Sequence, residues 1–144
     1  MRLTYHADYA LRLLMYVALR DGTLVQIQEV AKAYGISKNH LMKVAFQLGR
    51  LGFLDTVRGR NGGLRLARAP QDITVGEVVR KTEESFALVE CFDPGSNGCV
   101  ITGPCRLRGI LRKALDAYLD VLDERTLADL IQPRSALSRA LLAS

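Results

Sequence analysis

Apolar and polar positions change rhythm several times along the chain. From Tyr5 to Arg20 the segment is apolar nearly all round, and Ala10, Leu11, Leu13, Leu14, Tyr16, Val17 and Ala18 predict a buried helix. Thr4 stands where an N-cap belongs, Asp8 lies near the positive end of the helix dipole, and Asp21-Gly22 ends the run. A second, short helix is predicted from Ile27 to Tyr34, stopped by Gly35. After the turn Ile36-Ser37, Ser37 caps a third helix running from Lys38 to Leu51. The stretch from Phe53 to Ala67 then reads as two short β-type runs around a glycine-rich tip, a hairpin. Thr74 and Glu77 form a capping-box pattern at the head of a fourth helix. Residues 82–105 make a long loop, Arg106 to Asp123 is the clearest helix of all, and a short helix from Thr126 to Ile131 precedes a tail after Pro133.

The spacing of small and aliphatic residues in the second and third elements has a specific use. Ala31, Gly35 and Leu41 hold the spacing Ala-x3-Gly-x5-aliphatic. The small residue lets two helices approach, the glycine takes a left-handed turn, and the aliphatic side chain anchors the third helix: a helix-turn-helix. On the third helix Leu41, Val44, Ala45, Leu48 and Leu51 share one face, and Asn39, Lys43, Gln47 and Arg50 share the other. Those polar types hydrogen-bond base edges and phosphates. With Ser37, Lys38 and His40 at the helix start, and Arg58, Arg60, Asn61 and Arg65 around the hairpin tip, they are the candidate DNA contacts. Arginine on a slim glycine-rich loop suits a minor groove. The expected architecture is mainly α with a small β wing. A winged helix-turn-helix domain occupies residues 1–80, a cysteine loop 81–105, and a long dimerisation helix with a C-terminal tail 106–144.

In that long helix Leu107, Leu111, Ala114, Tyr118 and Val121 recur at alternating steps of four and three, and Leu115, Leu119 and Leu122 widen the seam to half the cylinder. So wide a face can bury one side on its own domain and another on a twin. A homodimer suits a protein that reads two half-sites of a palindromic operator in double-stranded DNA, about 34 Å apart.

Charge sharpens the picture. The net charge of the 144 residues is +5, but residues 1–69 carry 11 Lys/Arg against 4 Asp/Glu and residues 70–144 carry 9 against 11. A polyanionic partner is expected for the first half only. No apolar run approaches the roughly 18 residues that span a bilayer, and the start MRLTYHADYA has no signal-peptide pattern, so a cytoplasmic protein without a membrane partner is expected. No Ser/His/Asp set, paired carboxylates or cofactor fingerprint appears, so no catalytic residue is assigned and an enzyme is not expected.

The remaining chemistry is in three cysteines spaced Cys91-x7-Cys99-x5-Cys105. An odd number argues against a disulfide framework. Structural zinc sites use closer pairs, whereas irregular glycine-lined thiolate loops suit a bulky iron–sulfur core. By spacing, an iron–sulfur cluster, a zinc site and a redox-active thiol set all stay open. Three thiolates would leave one iron of a cluster to take an oxygen or nitrogen ligand.

MRLTYHADYALR, GISKNHLMKV, TVRGRNGGLRL, ITVGEVVRKTE, the loop ending CRLRGIL, and TLADLI occur in that order and span nearly the whole chain. Together they resemble the family of iron–sulfur winged-helix repressors that contains IscR, RirA and NsrR, most closely its nitric-oxide-sensing NsrR branch. The resemblance implies a DNA-binding repressor that responds to nitric oxide through a cluster, 4Fe–4S favoured over 2Fe–2S. It also implies a ligand set of Cys91, Cys99 and Cys105 with Asp8 given by the partner subunit. The IscR type places a histidine three residues after its last cysteine, where this chain has Arg108. The seven-residue gap after Cys91 is similar to the iron-responsive RirA type, so an iron- or cluster-status-responsive regulator is the alternative, and a thiol-redox or zinc-dependent regulator a third.

Overall fold

The structure is a computed structural model that describes residues 1–143. Among these residues seven α-helices and one hairpin follow in the order α1 (Tyr5–Leu19), α2 (Ile27–Tyr34), α3 (Lys38–Arg50), β1 (Leu54–Val57), β2 (Gly63–Leu66), α4 (Val75–Thr82), α5 (Arg106–Asp123), α6 (Leu127–Leu130) and α7 (Arg134–Leu142), with short 3-10 turns at Pro70–Asp72 and Glu90–Phe92. The expected mainly helical architecture with a small β wing is what forms.

Helix α1 is the centre of the core. Thr4 caps it by accepting from the Ala7 amide, and Ala10, Leu13, Leu14, Tyr16, Val17 and Ala18 are all buried, with Leu11 half-buried. Against it pack α3, α4, β2 and α6. Between α2 and α3, Gly35 adopts φ 65° and ψ 34°, a left-handed turn that costs a side-chain-bearing residue about 1 kcal/mol or more. The Ser37 hydroxyl then accepts from the His40 amide to start α3. Val30, Ala31, Leu41, Val44 and Leu48 lock the two helices together in the core.

The hairpin pairs Leu54 with Leu66 and Val57 with Gly63, antiparallel. Its inner edge is tied to the segment before α2: Val25 and Leu64 exchange both backbone hydrogen bonds, at 2.9 and 2.8 Å. No sequence signal announced this third short pairing.

Helix α4 is capped as expected on one side only. Thr74 accepts from the Glu77 amide, but the Glu77 carboxylate turns away to Arg68 and Lys81 and does not close a capping box. A full capping box occurs instead between Thr126 and Asp129 at the head of α6. Helices α4 and α5 meet at Gly76, where an added Cβ would come 2.9 Å from the Asp123 amide nitrogen. An Arg80–Asp123 ion pair at 2.7 Å and the Val75 amide donating to the Arg125 carbonyl at 2.8 Å complete the joint.

The segment after Pro133 was expected to be a tail and is helix α7. Leu137, Leu141 and Leu142 lie against the core, and the Arg134 guanidinium donates to the Leu19 carbonyl at 3.2 Å. Leu127 and Ile131 are buried in the same core. The chain after α5 therefore returns to α1. No described helix is long and apolar enough to cross a membrane.

Candidate DNA interface and cysteine site

The outward face of α3 exposes Lys38, Asn39, Met42, Lys43, Phe46 and Arg50. Ser37 is exposed beside them as the cap. Two residues expected on this face are used differently. Gln47 is half-buried: its carbonyl oxygen meets His6 Nε2 on α1, and its amide donates to the Lys81 carbonyl at 3.4 Å. His40 is half-buried with its ring edge-on to Tyr9, centroids 4.8 Å apart. Both therefore pack α3 onto the first turn of α1, because a helix lying across two others has less than half its cylinder free. Between the cations Lys38, Lys43 and Arg50 the same face exposes Met42 and Phe46. Arg50 lies over the Phe46 ring at 5.9 Å.

At the hairpin tip Arg58, Arg60 and Asn61 are exposed, and none makes a side-chain hydrogen bond or ion pair among the described residues. Arg65, on β2, is exposed but lies 3.6 Å from Asp55 of the paired strand. The Gln26 side chain donates to the Gly62 carbonyl, which fixes the root of the tip against α2.

The three cysteines come together. Cys91, Cys99 and Cys105 line one hollow of about 220 Å³ at the head of α5, walled by Val89, Ile101, Leu107 and Leu111 and edged by Glu90 and Arg108. All three are free thiols and half-buried. Cys105 is the N-cap of α5, its sulfur accepting from the Arg108 amide at 3.4 Å, an interaction of the kind that tunes a thiolate cluster ligand. Local polar bonds shape the loop around it. Glu90 accepts from the Gly98 amide at 2.6 Å, Asn97 from the Cys99 amide at 3.0 Å, and Thr102 donates to the Cys99 carbonyl at 2.7 Å. Asp93 accepts from the Ser96 hydroxyl and the Gly95 amide, and these two bonds hold its carboxyl below the usual carboxylate range. The loop is anchored to α5 by Arg112, 4.0 Å over the Phe92 ring.

Among the described residues, no three His, Cys, Asp or Glu side chains converge tightly enough to hold a single metal ion. Three thiols lining one apolar hollow are the donor type that an iron–sulfur core takes. Asp8 is not part of the hollow in its own chain. It makes a two-point ion pair with Arg12, at 2.8 and 3.0 Å, and Arg12 in turn lies over the rings of Tyr9 and Tyr34. The Tyr34 hydroxyl, pushed up to about 12 by burial, donates to the Arg12 carbonyl at 3.0 Å.

A helix-turn-helix with a basic hairpin beside it is the architecture of winged-helix DNA-binding transcriptional regulators. Comparison with known proteins makes this specific. Residues 3–133 match the family model Rrf2, described as an iron-dependent transcriptional regulator, and the chain belongs to that family. It is 51% identical over 142 residues to the HTH-type transcriptional regulator NsrR of Bacillus subtilis (strain 168), covering 98% of this chain and 97% of that protein. It is 50% identical to the HTH-type transcriptional regulator NsrR of Bacillus licheniformis, covering 98% of this chain and 99% of that one. Among solved structures, T. potens IscR superposes with a TM-score of 0.74 at 27% identity, over 92% of this chain and 87% of that one. These relatives are regulators of transcription, and the chain is not an enzyme.

Proposed function

We propose that the protein is a cytoplasmic homodimeric repressor whose grip on a palindromic operator is set by an iron–sulfur cluster, preferably 4Fe–4S, that responds to nitric oxide. The observation that carries the reading is the gathering of Cys91, Cys99 and Cys105 on one apolar hollow at the head of α5. The family's iron-dependent description and the two NsrR relatives support it. The resemblance set out above brings in nitric oxide and makes the partner subunit's Asp8 the fourth ligand.

Residues on α5 supply the dimer. Leu115 and Leu119 are buried against their own domain, whereas Leu107, Ile110 and Val121 remain 59%, 63% and 60% exposed. With the exposed Ala114 and Ala117 they recur at steps of three, four, three and four, the spacing of a helix-pairing seam. The seam is thus turned from the expected Leu107, Leu111, Ala114, Tyr118, Val121 line: Leu111 and Tyr118 are half-buried and flank it. Val100 and Ile101, exposed at the tip of the cysteine loop, extend the same apolar strip to the rim of the hollow. A twin covering this strip would cover the cysteine site as well.

A cluster held by Cys91, Cys99 and Cys105, with the partner's Asp8, would supply iron chemistry that can take up a small diatomic molecule. The chain's own part is positional. Cys91, Cys99 and Cys105 would hold the core on one subunit, and Asp8 sits four residues before Arg12 on the helix that also carries His6 and Tyr9 against α3. A tie from one subunit's loop to the other's α1 therefore ends beside the recognition helix. A two-fold reader tolerates little change there, because half-site spacing is fixed by the duplex. A 99:1 reversal between bound and free requires on the order of 5 kcal/mol of differential affinity.

The first test is the iron and acid-labile sulfide content and visible absorption of protein purified without oxygen. Both elements are expected in stoichiometric amount. Zinc in their place, or no metal at all, overturns the reading. The family description also favours a second reading, in which iron supply is the signal. Release from DNA by an iron chelator and not by nitric oxide selects it.

A further inference from the structure

Helix α3 carries no Asp or Glu and is flanked by Lys38, Lys43 and Arg50 on its outward side. In the middle of that cationic face stand Met42, 52% exposed, and Phe46, 69% exposed. They are one turn apart and lie on one line along the helix. Arg50 alone reaches over Phe46, and the described residues leave both side chains open to solvent, while the proposed seam on α5 accounts for a twin elsewhere. With Gln47 withdrawn to His6 and His40 to Tyr9, Asn39 is the one neutral hydrogen-bonding side chain left exposed on the face beyond the Ser37 cap. The side chains nearest the middle of a groove would therefore be carbon and sulfur, ringed by cations that meet phosphates.

We propose that Met42 and Phe46 form an apolar stripe that reads thymine through its 5-methyl groups in the major groove. The proposal rests on the reading of α3 as the helix that enters the groove. Four residues of helix advance about 6 Å, and stacked bases repeat every ~3.4 Å, so the stripe spans about two base-pair steps. Thymine presents a methyl group and one acceptor at the major-groove edge, whereas cytosine presents an N–H donor. An apolar side chain gains by covering the methyl and leaves the cytosine donor without a partner. The stripe thus selects A·T pairs at the positions it faces, and Asn39 and the cations fix the register around them.

The test begins with duplexes selected from a random library by wild-type protein purified without oxygen. The best duplex is then remade with uracil in place of every thymine, which removes the methyl groups and leaves base pairing intact. Affinities for both duplexes are measured by anisotropy for wild type and for the Met42→Ala/Phe46→Ala double variant. Wild type is expected to select thymine in each half-site and to lose about fourfold in affinity for each methyl it reads, the effect of exposing one buried carbon group. The double variant is expected to bind both duplexes equally, with the wild-type salt slope, since no charge is removed. An unchanged thermal melt shows that it is folded.

Sequence-selective binding by wild type that ignores the thymine-to-uracil exchange overturns the methyl reading and leaves the groove assignment standing. Absence of salt-dependent DNA binding overturns both. A change of oligomeric state in the double variant gives the stripe to a protein contact and likewise overturns the proposal.

Discussion

Between Ile27 and Arg50, the residues Val30, Ala31, Leu41, Val44, Ala45 and Leu48 are all buried in the common core, while between Glu83 and Cys105 no residue is buried. The helix-turn-helix is held by close-packed aliphatic side chains that leave it one arrangement. The cysteine loop is held by short-range polar bonds, from Glu90 to Gly98, Asn97 to Cys99 and Asp93 to Ser96, each among exposed atoms. Exposed polar contacts contribute little net stability, so a ligand on the three sulfurs can dominate the loop's conformation. The helix-turn-helix is fixed by packing, and the cysteine loop by exposed polar contacts.

The largest expected effects separate these two regions. Cys91→Ser, Cys99→Ser and Cys105→Ser should each abolish iron retention and visible absorption while leaving the helical circular-dichroism signal in place. Colour kept in all three variants would remove them as ligands. Asp8→Ala should change reactivity more than iron content, read as the nitric oxide needed for half-release. Ile110→Asp places a charge in the proposed seam, where pairing would bury it without a partner. Sedimentation of that variant should show monomer, and an unchanged dimer would place the contact off α5.

Intermediate effects belong to the joint between the regions and to the DNA face. Gly76→Val forces a side chain into the space held by Asp123, and should cost about 1–3 kcal/mol in urea unfolding. Lys43→Ala and Arg60→Ala should each weaken operator binding and reduce the log–log salt slope by about one. Slopes equal to wild type would mean that these cations do not meet phosphates.

The smallest effect is electrostatic. Arg68, and after it Lys81, hold the Glu77 carboxyl below its ordinary value of 4.5. A depressed folded-state value means stability fully present above that pH and lost as pH falls through the folded value. Glu77→Gln should therefore cost about 0.5–1 kcal/mol at neutral pH, discounted for the part-exposed cations, and flatten the loss of stability below about pH 4.5. Denaturation at pH 7 and pH 3.5 for both proteins measures it.

Much of this was legible in local chemistry. Gly35 and Ser37 bracket the turn, Thr4 and Thr74 mark helix starts, and the step from alternating apolar residues to RGRNGG marks the hairpin. What stayed hidden depended on which surfaces meet. Leu137 and Leu141 have helical spacing, but only α1 and α2 supply the surface that makes Arg134–Leu142 more than a tail. The exposed apolar line on α5 differs from the expected one because packing of α5 on its own domain, α4 included, buries Leu115 and Leu119 from an apolar half-cylinder that sequence cannot divide. Gln47 and His40 have the chemistry of base readers, and only the position of α1 shows that His6 and Tyr9 occupy them. The gathering of three cysteines on one hollow follows from Cys105 capping α5 and the Arg112–Phe92 contact drawing the loop back onto it.

The decisive measurement is an anaerobic anisotropy titration. Iron-loaded protein on its selected operator receives nitric oxide in steps, with a chelator run in parallel and Cys99→Ser protein as control. Release at a few equivalents of nitric oxide, no release by chelator, and weak binding by the Cys99→Ser protein at every step are the predicted results. Equal operator affinity for loaded, nitric-oxide-treated and Cys99→Ser protein would contradict the account.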